Sequence, residues 1–115
     1  MTMAEIKSYT DLRQSKKLEG MLPIKSADMH SEAIEIDGDM VFVAVCGLGD
    51  KNKSNYGSPI WSLAALLNVM PSASLDSSDD HHYRLYCMER FTEWHDNAID
   101  ACVDMIEKLH EQKSL

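Results

Sequence analysis

The stretch Glu32-Ala33-Ile34-Glu35-Ile36-Asp37-Gly38-Asp39-Met40-Val41-Phe42-Val43-Ala44-Val45-Cys46 decides the fold. Glu32 to Ile36 alternates polar and apolar residues with period two, the pattern of a strand with one wet and one dry face. Asp37-Gly38 is a strong two-residue turn, so the segment predicts a β-hairpin. The return run from Met40 to Cys46 is apolar on both faces. Such a strand is expected in the middle of a sheet, covered on both sides or by a partner.

Downstream, Gly47 to Gly57 is a polar loop with three glycines, two lysines and two asparagines. Ser58 then reads as an N-cap with Pro59 at the first helical position, and the helix runs to Met70 before Pro71. At 100° per residue, Ile60, Leu63, Leu66, Leu67 and Met70 share one face. Trp61, Ala65 and Val69 form a second apolar stripe on roughly the opposite side. That stripe needs another helix over it, or a dimer or partner interface.

Ser72 to Asp80 reads as a loop, His82 to Glu89 as a third strand, and Phe91 to Trp94 as a short fourth strand or lead-in. Asn97 caps a final helix whose inner stripe is Ile99, Cys102, Val103, Ile106 and Leu109. Asp100, Asp104, Glu107 and Glu111 line its far side as like-charge pairs at i,i+4, which suits either solvent or a basic partner. Upstream, Ser8 to Leu22 predicts a first helix, with Asp11 three residues after Ser8 as in a capping box and Gly20 with Pro23 as the stop. The expected fold is α+β: one domain over residues 1–115, with a three- or four-stranded antiparallel sheet, two main helices packed on it and a peripheral N-terminal helix.

Composition narrows the function classes. The chain has 115 residues, 44% hydrophobic and 26% charged, ordinary globular values. Nineteen acidic against 11 basic residues give a net charge of −8, which disfavours nucleic acid as a partner. Residues 1–9 include Glu5, Lys7 and Ser8 where a signal peptide needs an apolar run. The apolar segment Ile60–Met70 spans only about 16 Å as helix, too short for a bilayer, so no membrane partner is expected. Cys46, Cys87 and Cys102 form no C-x-x-C pair, which fits a reducing cytoplasm.

Three chemical sites have partial signatures. Gly47-Leu48-Gly49-Asp50-Lys51-Asn52-Lys53-Ser54 approaches a phosphate loop, but Asn52 replaces the second glycine and no helix begins at Lys53. Asp79-Asp80-His81-His82, His95-Asp96 and His30 are metal-ligand types, yet adjacent His81 and His82 point to opposite faces of a strand. Cys87 and Cys102 lie among apolar neighbours, where a thiol is a small hydrophobe. His110 at the end of the last helix is expected to interact with carbonyls and the dipole.

Two blocks, Ile60-Trp61-Ser62-Leu63-Ala64-Ala65-Leu66-Leu67-Asn68-Val69-Met70-Pro71 and the tail from Phe91-Thr92-Glu93-Trp94 through Asp96-Asn97-Ala98-Ile99-Asp100-Ala101-Cys102 to Leu109-His110-Glu111, resemble an uncharacterised family of small proteins from gut bacteria and their phages or mobile elements. Ser15-Lys16-Lys17-Leu18 and Ser26-Ala27-Asp28-Met29 are similar too. Ile60 stands where that family usually has cysteine, and Ala98 where it usually has proline. The resemblance implies an intracellular protein and no activity. The leading expectation is a non-enzymatic accessory or interaction protein without cofactor, acting on a protein partner or as a homodimer. Its candidate surface is Trp61, Ala65 and Val69 or Asp100, Asp104, Glu107 and Glu111. The alternatives are a metal-binding domain or metal-dependent hydrolase using His82, His95 and Asp96, and a small-ligand-binding domain using the polar loop.

Overall fold

The hairpin forms as its sequence requires. In the computed structural model, which describes residues 7–113, β1 (Met29–Ile36) and β2 (Asp39–Cys46) pair in register from Met29↔Cys46 to Ile36↔Asp39. Asp37 (φ 50°) and Gly38 (φ 86°) supply the two positive φ values of a type I′ turn. The reading of residues 1–6 lies outside the described residues.

A third strand, β3 (Tyr56–Ile60), joins the opposite side of β1, so the strand order is β2-β1-β3. Two expectations are corrected here. The central strand is β1, and the apolar β2 stands at the edge. The segment from Ser58 begins as strand rather than helix, with Pro59 on an edge strand where its missing N–H is tolerated. The middle helix, α1 being Leu12–Glu19, is α2 (Leu63–Asn68), capped by Ser62, whose hydroxyl accepts the Ala65 N–H at 3.2 Å.

The first helix also starts later than its sequence suggests. Asp11, not Ser8, is the N-cap: its carboxylate accepts the Gln14 N–H at 2.8 Å, and the Gln14 amide oxygen accepts the Asp11 N–H at 3.2 Å. This reciprocal pair satisfies two amides that would otherwise be unpartnered. Gly20 ends the helix as expected.

The second half builds its own sheet, β4 (Ser74–Ser77), β5 (Tyr83–Cys87) and β6 (Arg90–Phe91), in that spatial order and antiparallel. β4 occupies a stretch expected to be loop, because Leu75 gives it only one apolar anchor for the sequence pattern to show. α3 (Ala98–Glu111) is the final helix, with the Asn97 side chain accepting the Asp100 N–H at 2.8 Å. The protein is thus α+β, with two three-stranded antiparallel sheets in place of one.

One apolar cluster holds the body together. It joins Leu18 and Leu22 to Trp61, Ala65, Leu66 and Met70, to Leu85 and Cys87 of β5, and to the inner face of α3 from Ile99 to Leu109. Trp61 is 0% exposed, and its indole N–H donates to the Ser26 hydroxyl at 2.9 Å. Trp61 and Ala65 are therefore interior rather than an interaction surface, and Val69, partly buried, packs against the same cluster. The first helix, the final helix and the second sheet supply the stripe's cover within one chain. No described residue of β1 or β2 belongs to this cluster. The hairpin projects from the body as an arm, in a molecule measuring 47 × 41 × 19 Å.

Among the described residues no helix is long and apolar enough to cross a membrane.

Candidate functional site

The arm carries a sheet edge with no strand beside it among the described residues. Alternation along an antiparallel pair aims each residue's N–H and C=O at one side only. In a type I′ hairpin the residues flanking the turn, here Ile36 and Asp39, bond to each other, and every second pair follows. The bond from the Gly47 N–H to the Asp28 carbonyl, 2.8 Å, continues that ladder. Odd-numbered residues of β2 are thereby spent on β1. The N–H and C=O groups of Met40, Phe42, Ala44 and Cys46 face outward from the sheet edge.

Side chains on this edge are exposed as well. Met40 is 66% exposed, Phe42 60% and Val41 36%, with Ile36 beside them on β1. Cross-strand partners share a face, so Met40, Phe42 and Ala44 lie with Ala33 and Ser31 on one side. There the Phe42 ring leans across the sheet towards Gly57, where an added Cβ would stand 2.2 Å from the Ser31 hydroxyl and 3.0 Å from the ring. Tyr9 and Leu12, both exposed, extend the same face. Between them and the sheet runs a small cleft of about 170 Å³, lined by Tyr9, Leu12, Ser31, Phe42, Ala44 and Ser58.

The other side of the sheet is fastened by His30, which is 3% exposed. Its ring bonds the Gly47 carbonyl at 2.7 Å and the Glu32 carboxylate at 2.8 Å, and it stacks on Tyr56. The Glu32 carboxylate, then the Gly47 carbonyl, hold its pKa above the usual imidazole value, because both accept protons that only the charged ring can donate together. Gly49, at φ +68°, passes so close that a Cβ there would meet the His30 ring at 2.6 Å. This is the structure of the loop that resembled a phosphate site. It leads into β3 and not a helix, so no helix N-terminus converges on it. The ligand-site reading at the start of the middle helix is corrected on the same ground: five residues of strand separate loop and helix.

The acidic stripe of α3 is largely neutralised within the chain. Asp100 accepts from Lys7 at 2.9 Å, Gln14 at 2.7 Å and Asn97 at 2.9 Å. Partial burial pushes its pKa up, but the Lys7, Gln14 and Asn97 donors outweigh that and hold it below the usual range. Asp104 sits between His95 (2.8 Å) and Lys108, which lower its pKa against a similar burial effect. Glu107 pairs with Lys17 at 3.0 Å, while Glu111 is exposed. These charges line an open groove of about 550 Å³ between α1 and α3 whose cations and carboxylates mostly face one another. It joins two helices, with Lys7 shared between Asp11 and Asp100 and with Glu93 on its wall in none of the ion pairs among the described residues.

The candidate metal ligands separate. His82 lies 3.5 Å from Asp96, whereas His95 turns to Asp104 on α3. Among the described residues no three His, Cys, Asp or Glu side chains gather as a metal site. Cys87 and Cys102 are buried and Cys46 is exposed. Burial pushes the Cys102 thiol up to about 12, which leaves it without thiolate character. His110 keeps its Nδ1 buried and without a hydrogen-bond partner.

A second exposed cluster had no signal in the sequence. On the outer face of the second sheet the Arg84 guanidinium lies 4.3 Å from the centre of the Phe91 ring and 4.6 Å from that of Trp94, and bonds Asp76 at 3.2 Å. Tyr86 packs on Phe91 at 4.7 Å. The cation and its aromatic partners satisfy one another. Of the four edge strands among the described residues, β2, β3, β4 and β6, β2 is the one with an uncharged apolar run of seven residues, Met40–Cys46. Set against protein-family models, curated proteins and solved structures, the chain matches none of them.

Proposed function

We propose that the chain is a non-enzymatic interaction protein that receives an added β-strand from a protein partner along the β2 edge. The observation that carries this is the uncharged run Met40–Cys46, apolar on both faces, lying at an edge outside the core cluster. A long, flat apolar edge is a template for strand pairing, and proteins without a use for one blunt it with charge, proline or a bulge. Here Asp39 is the only charge in the strand. An added strand takes its affinity from main-chain bonds to Phe42 and Ala44 and its selectivity from side chains beside Val41, Val43 and the Phe42 ring. On the same reading the protein works in a reducing cytoplasm as an accessory factor, of phage or mobile-element origin as its resemblance implies.

Ala44→Pro tests this. Proline removes the outward N–H while leaving the β1 ladder intact, since edge strands tolerate it where the N–H faces solvent. Melting should change by no more than about 1 kcal/mol, the scale of a surface change. Proteins captured by the wild-type chain from its native host, copies of the chain itself included, should be lost from the variant. Capture of the same set by both chains contradicts the reading.

A further inference from the structure

We infer that the strand added to β2 is β2 of a second copy, placed antiparallel about a two-fold axis at Val43. The inference rests on the open-edge reading above and names the occupant.

Backbone parity limits the register first. Outward groups belong to even-numbered residues, so bonded pairs across the junction join even to even. Two registers then keep most of the strand paired: one centred on Phe42, the other on Val43. Centring on Phe42 sets the Asp39 carboxylate opposite Val45, a charge against an apolar side chain. Centring on Val43 sets Asp39 opposite Gly47, which has no side chain and a φ of +93°. It pairs Met40 with Cys46, Phe42 with Ala44 and Val41 with Val45 of the second copy, each a large residue against an equal or smaller one. No charge opposes another anywhere between Met40 and Cys46.

Charge at the two ends selects the second copy and the antiparallel sense. The hairpin tip of one copy brings Asp37 and Asp39 alongside the 47–53 loop of the other, which carries Lys51 and Lys53. Asp50, the acid of that loop, turns its carboxylate back to the Asn52 N–H at 2.9 Å. A parallel pairing would instead bring the two acidic tips together. The net charge of −8 on each copy acts over distances beyond the ~8 Å screening length of physiological salt, so the local complementarity decides the contact. The product is one continuous antiparallel sheet made from the first sheet of each copy, with no open β2 edge. A closed, isologous arrangement of this kind consumes the edge completely.

Val43 would face its symmetry mate as a non-bonded pair, with Cα atoms about 4.5 Å apart. That is within reach of a disulfide. Val41 would lie four positions from its own mate, roughly 13 Å away, and Cys46 six positions, roughly 20 Å. The experiment is disulfide trapping of Val43→Cys and Val41→Cys, each in a Cys46→Ser background, together with sedimentation of the unaltered chain. The expected result is a dimer in sedimentation, and oxidation that links Val43→Cys at least about ten-fold faster than Val41→Cys, as disulfide geometry demands. Adding Ala44→Pro to Val43→Cys should abolish the link. A monomer in sedimentation overturns the inference, as does a dimer in which Val43→Cys links no faster than Val41→Cys. If the chain is monomeric but Ala44→Pro still loses captured host proteins, the second copy is wrong and the open-edge reading stands. If neither variant changes anything, both fall.

Discussion

Trp61→Ala is expected to destabilise the protein by about 3–5 kcal/mol, the range for deleting a large buried aromatic. Trp61 is wholly enclosed in the cluster that joins α1, α2, the second sheet and α3. It leaves β3, enters α2, and packs in the cluster shared with Leu18, Leu85 and α3. Its backbone exchanges bonds with Thr10: the Thr10 N–H donates to the Trp61 carbonyl at 3.0 Å, and the Trp61 N–H donates to the Thr10 hydroxyl at 3.2 Å. Truncation leaves a cavity and removes the indole donor from the Ser26 hydroxyl, which keeps its own bond to the Pro23 carbonyl at 2.6 Å. Domains of this size have about 5–15 kcal/mol in total, so the variant should stand near its unfolding threshold. Urea titration followed by circular dichroism reads the change. A loss below about 1 kcal/mol, with altered assembly, would instead make the stripe an interface.

Gly57→Ala comes second, at about 1–3 kcal/mol, the usual cost of overpacking. The new methyl group would sit 2.2 Å from the Ser31 hydroxyl, which is buried and accepts the Ser58 N–H at 2.9 Å. Either that bond breaks or β3 moves from β1. The Phe42 ring must also shift, so the arm should loosen before the body does. Thermal melting measures the global cost, and amide exchange in β3 locates it. An unchanged melt with unchanged exchange would mean that the first sheet closes without the Gly57 gap.

The sequence was most legible where a pattern was long and capped. Asn97 and the Ile99-to-Leu109 stripe define α3, and Asp37-Gly38 defines the hairpin, because each signal is local and acts through one or two hydrogen bonds. Legibility failed where a local signal had a tertiary competitor. Ser58-Pro59 has the composition of a helix start, but pairing of Met29 with Ile60 and His30 with Pro59 draws the segment into a strand. Helix formation then waits for Ser62. The apolar run of β2 was visible, and its need for cover was visible with it. Which strand of a hairpin receives the third strand depends on where the chain returns from the 47–55 loop, and hydrophobic period does not encode that. The acidic stripe was equally plain, while its pairing with Lys7, Lys17 and His95 depends on residues distant in sequence. The Arg84 cluster likewise requires three separate residues to meet.

The open edge of β2 is the claim on which the functional account depends, and amide exchange of the dilute, monomeric chain reads it residue by residue. Exchange should alternate along the strand: Phe42 and Ala44, with outward N–H groups, should be at least about ten-fold faster than Val41 and Val43, which are bonded to β1. Equal protection at all four positions would contradict the account, because it would mean that something within the chain already covers this edge.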